Sequence, residues 1–412
     1  EKWYNPQQDW PPVVEYVHLD CGTRGDETLD GKSANAFCWA ITKFRKKEEV
    51  RCRAGANIMP RSIVVHCTHG HNRTGFMLCA YMLRMRQWHA INHSVSEVAA
   101  AFSKSRPPGI YKPDVLAALY RLYLERIPPT YPCPKPPHWK GDMESRSELL
   151  VDAIPPTPAR PTGGMQHDDV IGEEVPSDLA EAISRLVYFL VTGKEAASSG
   201  PAAFPGNHPV NLTRSNINNL KQQHLVTWKA DGTRYLMLVM PEGAFLVSRN
   251  TTMLEMVRRV HIRCPRSDGS LHSQTLLDGE LVVDTDKKTK QQKRRFLVYD
   301  VLSSGSDKPG AQVQRFADKP FSQRHSLIKQ EFVLPYNEHR LGKLKIEGYR
   351  HKYDWDAEEF TIRRKDFFPI ENAAMICNDM IPKFLPHESD GLIFQPAHAE
   401  YREGRCADLF KW

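Results

Sequence analysis

The 412-residue chain contains no run of about 18 apolar residues, the length a membrane-spanning helix requires. Its nine cysteines are scattered from Cys21 to Cys406 without a Cys-x-x-Cys pair. That excludes a zinc ribbon or a disulfide framework and points to a reducing compartment. No charged-then-apolar leader follows Glu1. Neither sign of charge dominates: 56 Lys and Arg face 49 Asp and Glu, for a net +7. With 41% hydrophobic and 25% charged residues the chain is ordinary globular material, not a disordered one. The mild basic excess suits a polyanionic partner.

Composition divides the chain in three. Residues 1–127 carry 18 basic and 12 acidic groups, residues 128–200 carry 6 and 11, and residues 201–412 carry 32 and 26. Ten of the 34 residues from Pro128 to Pro161 are proline, which neither a helix nor an interior strand tolerates, so this stretch reads as an extended linker. We expect a first domain over 1–127, a Pro-rich linker over 128–165 and a second domain over 166–412.

The first domain reads as α/β. Short strands are expected at Val13–Leu19 and, buried, at Ile63–Val65. Helices are expected at Ser33–Glu48, Phe76–Met85, Val95–Phe102 and Asp114–Tyr123. The second opens with a helix, Asp178–Val191, and continues as short β runs at Leu225–Trp228, Tyr235–Val239, Leu276–Val283, Phe296–Val301 and Leu392–Phe394. That is an α+β, sheet-dominated pattern.

Two segments carry chemistry. At His66-Cys67-Thr68-His69-Gly70-His71-Asn72-Arg73-Thr74-Gly75, a strand is expected to feed a tight loop and then a helix. Successive N–H groups in such a loop form an anion nest, reinforced by the helix dipole. Cys67 at its start would hold a lowered pKa and act as a thiolate nucleophile. Arg73 can grip two phosphoryl oxygens, and the Thr74 hydroxyl can support the sulfur as a leaving group. Cys79, on the apolar helix, is core.

The second segment, Trp228-Lys229-Ala-Asp231-Gly232-Thr-Arg234, ends a strand at a lysine and turns on a glycine. A free lysine, with a pKa of about 10.4, is a poor nucleophile while protonated. Arg234, Arg249 or a metal ion nearby would favour the neutral amine, whose attack on a nucleotide α-phosphate gives a phosphoramidate. Downstream lie Leu277-Asp278-Gly279-Glu280, then Phe296-Leu297-Val298-Tyr299-Asp300, then Ser389-Asp390-Gly391, and finally Lys411-Trp412.

The loop from His66 to Gly75 resembles the cysteine-phosphatase signature in the version found in RNA 5′-triphosphatases. Arg106-Pro107-Pro108-Gly109-Ile110-Tyr111-Lys112 resembles a segment of the same domain in animal-type capping enzymes. The ordered set from Lys229 to Trp412 resembles the covalent nucleotidyltransferases, in the form found in mRNA guanylyltransferases. The resemblance implies a multidomain α/β plus α+β protein, a cysteine-phosphatase-like domain followed by a covalent nucleotidyltransferase domain.

Implied with it are a nuclear mRNA-capping function, GTP and 5′-triphosphate RNA as substrates, and the phosphorylated tail of RNA polymerase II as partner. Cys67 and Arg73 would be catalytic without metal, with His66, Thr68, His69, Gly70, His71, Asn72 and Thr74 cradling phosphate. Lys229 would accept GMP, assisted by Mg2+ or Mn2+ held by Glu280 and Asp390. Asp231, Gly232, Arg234, Arg249, Asp278, Gly279, Glu280, Lys411 and Trp412 would line the GTP site. Tyr299 would stack on guanine or be a core tyrosine. Asp20 and Asp26 are acids without an assigned role.

Against the family pattern, an OB-fold lid is expected beyond Trp412 and further strands before Trp3, so both domains read as truncated. Two other readings stay open: an RNA-end repair phosphatase fused to an ATP-dependent ligase, and an inactive module that binds polymerase tail. The basic runs Lys287–Arg295 and Arg363–Lys365 are expected to be solvated loops, with RNA or polymerase tail as the alternative.

Overall fold

The structure, a computed structural model, describes residues 14–21, 29–54, 60–85, 94–128, 133–137, 164–167, 169–197, 200–221, 223–249, 257–344 and 353–412. Val13, Asp26 and most of the expected linker lie outside these residues.

The first region is built on helices α1 (Gly31–Ala54), α2 (Asn72–Arg84), α3 (Val95–Ser105) and α4 (Pro113–Leu122). Local chemistry starts three of them. The Asp30 carboxylate accepts the Ser33 N–H at 2.9 Å ahead of α1. Ser94 and Glu97 form a reciprocal capping box on α3. Pro113 opens α4, where its missing N–H costs nothing. The helices bury one core, with Phe76, Cys79 and Ala80 of α2 fully enclosed between Ala34, Val95 and Leu119.

Two expected strands are absent. Residues 14–19 and 63–65 lie in no sheet, and Val64, expected to be buried, is 84% exposed. A strand exists only through a partner's ladder, and no described segment pairs with Ile63-Val64-Val65. The β-branched trio therefore enters the Cys67 loop as plain extended chain.

The second region holds two sheets. β1 (Glu173–Glu174), β6 (Val257–Val260), β5 (Gly243–Val247), β4 (Thr233–Met240), β7 (Thr275–Thr285), β8 (Gln292–Ser304) and β10 (Thr361–Arg364) lie side by side, with β9 (Gln314–Arg315) on β8. A smaller sheet orders β11 (Phe368–Pro369), β3 (His224–Ala230), β12 (Ser389–Pro396), β13 (Gly404–Lys411) and β2 (Asn207–Asn211). The expected strands fall within β3, β4, β7, β8 and β12, and the expected helix within α5 (Ser177–Thr192). Phe321–Arg340, not foreseen, is one helical run with a π-helical stretch at Ile328–Val333.

The chain passes from the small sheet to the large one at Asp231-Gly232, between β3 and β4. A Cβ on Gly232 would lie 2.5 Å from the Leu281 carbonyl oxygen, so only glycine lets this turn sit against β7. That close crossing brings Lys229, near the end of β3, to Glu280 on β7, an interior strand of the other sheet.

The two regions meet along a polar seam. The Asn35 side chain donates to the Glu174 carbonyl at 2.8 Å, Lys43 pairs with Asp178, and the Asp354 N–H donates to the Leu124 carbonyl. Arg84, the last residue of α2, is buried there and donates to Asn35 and to the Tyr123 hydroxyl. The Tyr123 ring in turn packs edge-on against His261 of the second region, 5.7 Å between centroids.

Candidate active sites

Residues 66–71 form the bend between the extended segment and α2. The Gly70 N–H donates to Cys67 Sγ at 3.3 Å. Burial alone would raise the Cys67 thiol. The Thr74 hydroxyl and the N–H groups of His69, Thr74 and Gly70 outweigh it and hold the pKa below the ordinary value. The Thr74 hydroxyl is buried without another hydrogen-bond partner, which leaves it to the sulfur. Gly70 has φ +70°, a left-handed turn that aims its N–H inward.

The rest of the loop is scaffold. Asn72 Oδ1 accepts the N–H groups of Tyr111 and Lys112, both at 3.0 Å, and Arg106 donates to the His69 carbonyl. The Asn72 side chain is thus committed to the 106–112 segment, leaving its backbone to face a ligand. His71 is buried against Tyr111, and burial followed by the Arg106 charge lowers its pKa. His66, Thr68 and His69 lie in the loop, and Arg73 enters on the first turn of α2; burial pushes the Cys21 thiol up, and the nearby Arg73 charge only partly opposes it. Asp20 is exposed one residue before Cys21.

In the second region Lys229 Nζ bonds both Asp390 oxygens at 2.7 Å. Glu280, on β7, is pushed up by burial while Lys365, Lys229 and Arg234 pull it back. Tyr299 is half-buried, its ring 5.8 Å from both the Arg234 and the Lys365 cation. Ile393 pairs with both Thr227 and Lys411, so strand alternation puts Lys229 and Lys411 on one face of the small sheet. Trp412 binds Leu392 through its main chain while its side chain is exposed.

Asp278 and Arg234 lie beneath this surface rather than in it. Asp278 is wholly buried, and its oxygens take Arg234 Nε at 3.0 Å, Arg234 Nη2 at 2.6 Å and the Tyr401 hydroxyl at 2.6 Å. Arg234 is further held by Asn207 and by the Phe204 ring. The pair supports the floor between β2, β4 and β7. A Cβ on Gly279 would meet the Phe296 ring, a packing role. Arg249 is exposed, and its charge, after burial, lowers His208 on β2.

The sequence reading missed Lys365 and Tyr401. Lys365, by its place beside Arg363 and Arg364, suggests a solvated run. It is instead 3% exposed, paired with Glu280 at 3.7 Å and set over the Trp228 ring at 5.6 Å. Burial depresses its pKa against the support of Glu280. Its N–H donates to the Val298 carbonyl, continuing the parallel pairing of β10 with β8. The other basic run is a solvated loop only in its first part: Lys287, Lys288 and Lys290 are exposed between β7 and β8, whereas Lys293, Arg294 and Arg295 belong to β8 and the two arginines pair with Asp169 and Asp284.

A cavity of about 550 Å³ opens behind the Asp231 turn, lined by His167, Val283, Lys287 and His387 among others. Val283 lies on the opposite face of β7 from Glu280, so this is not the space before Lys229. Among the described residues no three His, Cys, Asp or Glu side chains converge as a metal cage. Two carboxylates flanking a nucleophile do fit magnesium, which usually takes one or two plus phosphate oxygens.

The family model for protein-tyrosine phosphatase matches residues 26–125, and that for the mRNA capping enzyme catalytic domain matches residues 165–412. The mRNA-capping enzyme of Danio rerio is 31% identical over 97% of this chain and 64% of its own length. That of Mus musculus is 30% identical over 97% and 63%. The chain thus spans about three-fifths of these relatives' length. The ATP-dependent DNA ligase of bacteriophage T7 covers 50% of this chain and 68% of its own at 14% identity and a TM-score of 0.30, a slight likeness. A phosphatase-type region followed by a nucleotidyltransferase region, over nearly the whole chain, places it in the mRNA capping enzyme family.

Proposed function

We propose that this chain carries both phosphate-handling steps of mRNA 5′-cap formation. Cys67 Sγ attacks the γ-phosphorus of 5′-triphosphate RNA, and the bond from that phosphorus to the β–γ bridging oxygen breaks. Diphosphate RNA departs and water then hydrolyses the phosphocysteine to inorganic phosphate. Backbone N–H groups of the 67–74 loop and the Arg73 guanidinium hold the transferring phosphoryl oxygens. The β-phosphate leaving group is a weak base, so a protonating carboxylate such as Asp20 is dispensable.

Lys229 Nζ, after losing its proton to solvent, attacks the α-phosphorus of GTP. An N–P bond forms, the α–β bridging bond breaks, and pyrophosphate leaves. The terminal oxygen of diphosphate RNA then takes the GMP and frees Lys229. Tyr299 would stack on guanine. Lys411, Arg249 and Trp412 face the nucleotide, while Arg234, Asp278 and Gly279 build its floor and Asp231-Gly232 the turn. Glu280 and Asp390 would hold Mg2+ or Mn2+, which when bound neutralises developing charge on the phosphates.

The reading assigns 1–127 to the triphosphatase, 128–165 to the linker and 166–412 to the guanylyltransferase. It also assigns a nuclear location and the phosphorylated polymerase tail as partner. The observation that carries it is the pairing of Lys229 with Asp390 beside Glu280 in a chain that also holds a hydrogen-bonded, pKa-lowered Cys67. Incubation with GTP or ATP labelled at the α-phosphate, with magnesium, tests it. A guanylate adduct on Lys229 is expected, and an adenylate-only adduct would overturn the reading.

A further inference from the structure

Lys229 and Asp390 come from adjacent strands, yet the ladder does not set their alignment. β12 pairs with β3 at Ser389↔Ala230 and again at Leu392↔Trp228, with a register shift between. Asp390 sits in that break, 55% exposed, where no ladder bond orients it. Some other contact has to hold its carboxylate on Lys229.

The anchors lie one turn earlier. Trp228, directly before Lys229, is buried, and its indole N–H donates to His387 Nε2 at 2.9 Å. A buried indole N–H needs an acceptor, so Nε2 carries no proton and Nδ1 does. Nδ1 faces Asp284 Oδ1 at 2.8 Å, and the other Asp284 oxygen is taken by Arg295. The His387 side chain is only 4% exposed. Around it the turn is tied to β3 and β7: Thr285 N–H to Pro386 O at 2.7 Å, Asp231 N–H to Glu388 O at 3.0 Å, and the Ser389 hydroxyl to Lys229 O at 2.7 Å.

We propose that His387, locked by Asp284 in the Nδ1–H tautomer, is a positioning residue that docks the 386–390 turn on Trp228 and thereby aligns Asp390 with Lys229. This rests on the reading of Lys229 as the nucleotidyl acceptor. Without the dock the turn keeps its main-chain ties and the Ser389 hydroxyl bond but loses the buried side-chain link between His387 and Trp228. Asp390 then samples positions off Lys229.

The test compares His387→Ala, His387→Asn and Trp228→Phe with the unaltered protein. His387→Asn keeps one donor and one acceptor. The maximal rate of Lys229–GMP formation should fall on the order of 10- to 100-fold in His387→Ala, with the half-saturating GTP concentration within about twofold. His387→Asn should recover part of the rate. Adding Trp228→Phe to His387→Ala should cost nothing further, because both cut the same link. Phosphate release by the Cys67 region serves as the folding control. A second readout needs no nucleotide: labelling of Lys229 by acetic anhydride, followed by mass spectrometry, should rise severalfold in His387→Ala.

Unchanged labelling and an unchanged adduct rate in a folded His387→Ala protein would sink the proposal. So would equal losses in the Ala and Asn variants, or a loss confined to GTP affinity. If the unaltered protein forms no nucleotide adduct, the guanylyltransferase reading fails. The labelling comparison then still decides the role of His387.

Discussion

The two nucleophiles are prepared by opposite means. Cys67 is surrounded by main chain: amides of His69, Gly70 and Thr74 reach its sulfur, and most nearby side chains brace the loop. Lys229 is surrounded by side chains from five strands or their ends: Asp390, Glu280, Lys365, Tyr299 and Lys411. A thiolate needs a localised positive field, which a helix N-terminus supplies by its geometry. An amine that must receive a nucleotide needs charges of both signs placed at several distances, and only side chains from separate strands can do that. The first design is local in sequence; the second is spread over nearly two hundred residues.

The sharpest way to break this comparison is to remove each nucleophile. Cys67→Ser should lower phosphate release from triphosphate RNA by a factor of about a thousand or more, and Lys229→Ala should abolish the guanylate adduct to the same degree. Each should leave the other activity intact, as paired assays on both substrates would reveal; loss of both in either variant would contradict independent sites.

Next in size, Lys365→Ala strips the buried partner from Glu280 and should cost on the order of 3 kcal/mol in urea unfolding. Asn72→Ala, which strands two loop N–H groups, should cost about 1–3 kcal/mol and fall on the phosphatase activity alone. If the side-chain-built site proves the more tolerant, the contrast is wrong. Gly232→Ala should destabilise by roughly 1–3 kcal/mol, since its methyl group meets the Leu281 carbonyl oxygen.

The smallest effect is electrostatic. The folded-state pKa of Cys67 is depressed, so its thiolate contributes stability above the unfolded thiol's pKa and loses it as pH falls through the folded value. Iodoacetate should therefore label Cys67 at a pH where an ordinary thiol is protonated and inert. Cys79, buried and pushed up to about 12, should stay unlabelled throughout. Equal labelling of Cys67 and an unfolded-state thiol across pH would remove the backbone-field argument.

What was legible in the sequence follows from the same contrast. Cys67, Gly70 and Arg73 lie within one turn of each other, so spacing alone assembles them. Lys229, Glu280 and Asp390 were legible only as members of an ordered set that resembles a known family, since Glu280 lies in the middle of β7 and no local pattern marks it. Lys365 was not, because its burial comes from the parallel pairing of β10 with β8, a contact across some sixty residues that no local pattern announces. Asp278, in the Asp-Gly-Glu run, suggests a residue of the nucleotide site, yet Tyr401, far along the chain, closes over it. Ile63-Val64-Val65 failed for the reverse reason. Its composition says buried strand, but a strand also needs a neighbour.

The seam at Arg84 bears on how the molecule can be dissected. A cut within the proline-rich stretch looks harmless on the sequence. It would nevertheless separate Tyr123 from His261 and Asn35 from Glu174, and open to water an arginine whose surroundings were shaped to be dry. The isolated halves would each inherit a raw polar face with no complement. Severed pieces that reassociate after cleavage, rather than diffusing apart, are what such a face would produce.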